Sequence, residues 1–124
     1  SGTLTVSTSV DTLKYQKIGN RVFISGAIEF SAASTPSGTW YINGLPFTST
    51  NTGTSEGERY AWQNATVINT ASDVSPGSPM GYIANNVTRI TMVLAGIAAD
   101  FHMNANYLDT GSMVGISGSY MTDS

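Results

Sequence analysis

Six residues within seven positions carry the groups that sugar recognition needs: Glu58, Arg59, Tyr60, Trp62, Gln63 and Asn64. A flat aromatic ring stacks on the apolar face of a pyranose, while planar amides, carboxylates and guanidinium groups hydrogen-bond its hydroxyls. The segment adjoins a polar loop, residues 48–57, that contains no apolar side chain. The competing reading is that Tyr60 and Trp62, two apart on one strand face, simply pack in a core. A second aromatic and amide-rich cluster, Phe101, His102, Asn104, Asn106, Tyr107 and Asp109, offers the same chemistry.

Catalysis has little to work with. The chain has no cysteine and a single histidine, His102, so a nucleophile and base would have to be a serine with His102, oriented by Asp100 or Asp109. No G-x-S-x-G elbow is present, and a lone histidine beside an aspartate is more often a structural hydrogen-bonding group than a catalyst. Glu56 and Glu58 come nearest to the paired carboxylates of glycoside cleavage, which stand about 5 to 10 Å apart across a sugar, but a Gly-rich loop fixes no such geometry. Asp100, His102 and Asp109 match no metal-ligand spacing. The expectation is binding without turnover, with no cofactor and no metal.

Composition narrows the partners. Lys14, Lys17, Arg21, Arg59 and Arg89 are the only cations and are scattered along the chain, so no basic patch can neutralise a run of phosphates and nucleic acid is not an expected partner. The longest apolar stretch, residues 92–99, is interrupted by Gly96 and falls far short of the ~20 residues of a membrane helix; no membrane insertion is expected. The first ten residues lack the basic and apolar regions of a signal peptide, which suggests either another route of export or a fragment of something longer. Charged residues are 10% of the chain, net charge is −3, and 16 Ser, 16 Thr and 9 Asn make a neutral, hydroxylated surface. With 40% hydrophobic residues in 124, the chain reads as one folded domain, residues 1–124, that buries roughly two thirds of its unfolded surface.

The elements that must position these groups are strands. In residues 21–30, Val22, Ile24, Gly26, Ile28 and Phe30 alternate with Arg21, Phe23, Ser25, Ala27 and Glu29, the period-2 signature of a central strand. Gly19-Asn20 before it predicts a tight hairpin turn from residues 15–18. Residues 3–10 alternate as a first strand, with Asp11-Thr12 expected as a turn into the hairpin. Further strands are expected over residues 39–43, ended at Pro46; over residues 58–68; over residues 80–84 and 87–95 as a hairpin through Asn85-Asn86; and over residues 113–120. Residues 100–109 read as loop or one short helical turn. The sum is an all-β domain, an antiparallel β-sandwich of jelly-roll-like type. One feature of the central strand points outside the chain: Phe23 and Ala27, with the small Ser25, stand opposite the core row, so a neighbouring subunit is expected to cover Phe23, Ser25 and Ala27.

Three motifs together, Y-x-K-I-G-N-R-V-x-I-S-G-x-I-x-F (Tyr15 to Phe30), G-L-P-F (Gly44 to Phe47) and I-S-G-S-Y-M-T (Ile116 to Thr122), resemble the C-terminal β-sandwich modules of tailed-phage tailspikes and tail fibres. Between Phe47 and Met113 no such pattern is found. The resemblance implies a jelly-roll-like sandwich, a C-terminal fragment of a longer tail protein, assembled as a homotrimer on the virion and extracellular in action. It implies attachment to host cell-surface polysaccharide, trimer assembly, or both; a trimerisation cap without ligand is the alternative. Any depolymerase activity of the parent is expected in a separate upstream domain.

Overall fold

The alternation of residues 21–30 is the spine of the molecule. The computed structural model describes residues 3–50, 61–70, 78–95 and 103–123. Strand β2 (Arg21–Ser34) buries Val22, Ile24 and Phe30 on one face and leaves Phe23 and Ser25 exposed on the other. It is paired on both sides, with β1 (Thr3–Ile18) and β7 (Met113–Met121), both antiparallel. Gly19-Asn20 makes the expected two-residue connection, with Ile18 opposite Arg21. The remaining strands are β3 (Tyr41–Asn43), β4 (Ala61–Ile68), β5 (Ser78–Ile83) and β6 (Arg89–Ala95). Asn86 takes a positive φ of 58° between β5 and β6, as the Asn-Asn pair predicts.

All seven strands join one antiparallel sheet in the order β1-β2-β7-β4-β5-β6-β3. The sheet curls until its two ends face each other as the layers of a sandwich do. Phe30 of β2 meets Trp40, next to β3 at the far edge, edge-to-face at 6.0 Å. The edges leave an apolar cleft of about 280 Å³ lined by Leu4, Val6, Ile28, Phe30, Trp40 and Ile42. The core between the layers is one cluster, including Val22, Ile24, Ile83, Ile90, Met92, Leu94, Val114, Ile116 and Tyr120. No helix among the described residues is long and apolar enough to cross a membrane.

The expected turn at Asp11-Thr12 is absent. β1 runs straight through it, because both residues pair with β2: Asp11 lies opposite Ile28 and Thr12 opposite Ala27. The irregularity falls just before, where residues 7–10 of β1 stand against the single Glu29 of β2. This is a wide bulge, which bends the edge strand without reversing it. Residues 100–109 contain the short turn of helix that was one of the two expectations, a 3₁₀ turn at Ala105–Tyr107 that buries Ala105.

One end of the curled sheet is closed by residues 44–50. Tyr120, fully buried, donates its hydroxyl to the Phe47 carbonyl (2.9 Å) and accepts from the Phe47 N–H (3.3 Å). Thr122 Oγ1 donates to the Thr48 carbonyl at 2.7 Å, and Ser49 Oγ donates to the Ala84 carbonyl and accepts from Val87 N–H. The segment is thereby tied to the last strand and to the β5–β6 connection. Burial pushes the Tyr120 phenol above its usual value near 10, against the opposing effect of the Phe47 hydrogen bond.

Candidate functional site

The site grows out of the way β4 changes partners. Residues 65–68 pair with β7 alone, residues 61–63 with β5 alone, and Asn64 with both Ser117 and Met80. At this corner β4 leaves β7, and the ladder between them would otherwise lose its bonds. Gln63, fully buried, replaces them: Nε2 donates to the Ser119 carbonyl (2.8 Å) and the Ala61 carbonyl (3.0 Å). Room for that amide comes from Gly118, where any Cβ would run into Gln63 Oε1 and Cδ. Gln63 Oε1 is buried and has no hydrogen-bond partner.

Gln63 is directed inward, so its neighbours must face out. Trp62 is 54% exposed and stands directly opposite Tyr82 of β5, their rings tilted at 56° with centroids 5.4 Å apart. Asn64 is exposed on the same face. Following the register sideways gives two rows of outward residues. One runs Phe23, Ser119, then across the corner to Trp62 and Tyr82. The other runs Lys14, Ser25, Ser117, Asn64 and Met80. Rings and hydroxyl or amide groups therefore stand in neighbouring rows, about 7 Å apart along the strands. Arg21 Nη1 donates to Ser119 Oγ at 2.9 Å, which carries its guanidinium into the aromatic row. At β6 this outer face is closed, since Thr91 and Val93 are buried.

Of the first predicted cluster, then, Trp62 and Asn64 share an exposed surface. Gln63 does not join them: it is turned into the interior and used up at the β4 corner. Glu58, Arg59 and Tyr60 lie outside the described residues. In the second cluster Phe101 and His102 also lie outside them. The described members hold loops together. Asn104 Oδ1 accepts from Gly38 N–H and Asn106 N–H, each at 3.0 Å, capping the 3₁₀ turn. Asp109 Oδ1 accepts from Thr110 N–H at 2.7 Å, and Tyr107 packs partly buried against the core. Phe23, Ser25 and Ala27 do lie on one face, with Phe23 43% exposed, and that face is the one that carries Trp62. Tyr82, Ser117, Ser119 and Arg21 were not singled out in the sequence as binding groups. Only strand register brings them to Trp62, and no local pattern encodes it. Among the described residues no cluster of three His, Cys, Asp or Glu side chains could hold a metal ion.

No protein-family model matches the chain, and no curated protein does. Among solved structures, the crystal structure of the Dettilon tailspike protein (gp208) superposes with a TM-score of 0.77 at 21% sequence identity. The match covers 98% of this chain but 21% of the tailspike. At that identity the likeness establishes a shared fold, and this chain spans about a fifth of the tailspike's length.

Proposed function

We propose that this chain is the distal module of a phage tailspike or tail fibre, binding host cell-surface polysaccharide and assembling as a homotrimer. The observation that carries the binding half is the exposed Trp62–Tyr82 cross-strand pair beside Asn64, Ser117 and Ser119. A ring that serves only the core is buried, as Trp40 is at 8%, whereas Trp62 keeps 54% of its surface in water. Stacked on a sugar, it would exchange that water for the apolar face of a pyranose while the neighbouring hydroxyls and amide take its polar edge. The shared fold with a tailspike supports a place on the tail, hence a virion protein acting outside the host cell.

A purely structural trimerisation cap is the second reading, favoured by Phe23. This ring projects from the middle of the outer face, where a second subunit would cover it together with Ser25 and Ala27. The two roles fit one surface, because Phe23 and Trp62 are two strand spacings apart, about 10 Å, which would place Trp62 at the rim of such an interface. The module itself is proposed to have no enzymatic activity. A glycan array and a host-cell binding assay with the 124-residue protein test the choice. Retention of specific glycans supports the binding module; a stable trimer that retains none and does not coat host cells leaves the cap.

A further inference from the structure

We infer that the glycan taken by the Trp62 face is acidic, a polysaccharide containing uronate or another carboxylate-bearing pyranose, with Arg21 as the residue that reads its charge. This rests on the carbohydrate reading above and narrows it. Arg21 opens β2 on the same face as Phe23, and its Nη1 donates to Ser119 Oγ at 2.9 Å. Ser119 stands directly opposite Phe23. On its other side it adjoins β4, because its carbonyl accepts from Gln63, the residue next to Trp62. The guanidinium is thus brought between two exposed aromatic positions, Phe23 and Trp62. A serine hydroxyl is neutral, so the bond orients the guanidinium without cancelling its charge.

That placement suits a carboxylate better than a hydroxyl. A planar guanidinium binds a carboxylate through two parallel, charge-assisted N–H···O bonds, a match that an uncharged hydroxyl cannot offer. In an acidic pyranose the carboxylate projects from the ring edge, so a ring lying on Trp62 can turn that edge towards β7 and Arg21. The charges around support it. Lys14 stands on the same face in the polar row, opposite Ser25. The carboxylates described around β2 and β7 stand at the ends of this surface, Glu29 opposite Met113 and Asp123 just past Met121. A chain of net charge −3 therefore carries two of its five cations beside its most exposed tryptophan.

The test is an array of neutral and carboxylate-bearing oligosaccharides, followed by calorimetric titration with the best binder and with the same oligosaccharide after reduction of its carboxyl groups to alcohols. The expected best binders carry carboxylates. Carboxyl reduction and Arg21→Gln should each weaken binding by at least roughly tenfold, and the two together by little more than either. Arg21→Lys should fall between, and binding should weaken as salt is raised. Neutral best binders whose affinity survives Arg21→Gln but not Trp62→Ala would overturn the acidic inference while leaving the carbohydrate reading intact. Failure to retain any oligosaccharide would overturn both. If Arg21→Gln does not fold, the carboxyl-reduced ligand decides alone: unchanged affinity for it contradicts the inference.

Discussion

At the scale of single residues, Gln63 and Gly118 determine whether the exposed platform exists. The Gln63 amide donates to two carbonyls where β4 turns from β7 to β5, and Gly118 leaves the space it fills. Gln63→Glu replaces a donor by a second acceptor and buries a charge, so a loss of several kcal/mol is expected at neutral pH. Protonation restores a donor. The buried acid's folded pKa would lie above its unfolded value, so stability should be higher below that range and fall as pH rises through the folded pKa. Urea unfolding of the variant at acid and neutral pH reads this out, and equal midpoints would contradict it. Tyr120 gives a second pH signature. Its folded pKa is raised by burial, so its contribution is complete below the unfolded value near 10 and is lost as pH rises through the folded value. Tyr120→Phe should cost about 1 kcal/mol at neutral pH through the lost bonds to Phe47 and should flatten the alkaline limb of the stability profile.

At the scale of elements, the edge strand β1 depends on one close approach. Past its bulge, β1 lies so near β2 that a Cβ on Gly26 would collide with the Thr12 carbonyl oxygen and come within 2.8 Å of Leu13 Cα. Both are backbone atoms and cannot rotate away. Gly26→Ala should therefore lower the melting temperature more than Gly118→Ala, whose neighbour is a side chain; the reverse order would refute this account of the bulge. The same strand shows how far the sequence could be read. Alternation marked β2 and β7 because period 2 is a local property, and Trp40 and Ile42 were placed on one face for the same reason. Asp11-Thr12 resembled a turn because both residues suit one, but pairing with Ile28 and Ala27 outweighs that local preference. At the site, Trp62 and Asn64 could be named from composition and spacing. Their companions could not: Arg21 and Ser119 lie 98 residues apart in the chain, and they meet only because β7 returns beside β2. Gln63 was grouped with Trp62 by proximity in sequence, although adjacent strand residues point to opposite faces.

At the scale of the whole molecule, one outer surface is proposed to serve both assembly and binding. Light scattering should give a mass near three times 13.0 kDa, and Phe23→Asp should give a smaller or insoluble species, since an unpaired carboxylate in an apolar interface costs several kcal/mol. A stable monomer would remove the trimer from the account. Incubation with host capsule or O-antigen should release no new reducing ends; turnover that vanishes in His102→Ala, or in a Glu56→Gln, Glu58→Gln double variant, would instead make the module an enzyme. The central claim is that a glycan rests on Trp62, and tryptophan fluorescence tests it most directly. The chain has two tryptophans, Trp40 buried and Trp62 exposed, so a saturating glycan chosen by the array should shift the emission to shorter wavelength. Trp62→Phe should abolish most of that shift, and Trp62→Ala should weaken binding by roughly 1 to 3 kcal/mol without lowering the melting temperature by many degrees. A glycan that binds by calorimetry with no change in emission, and with equal affinity for wild type and a folded Trp62→Ala, would contradict the account.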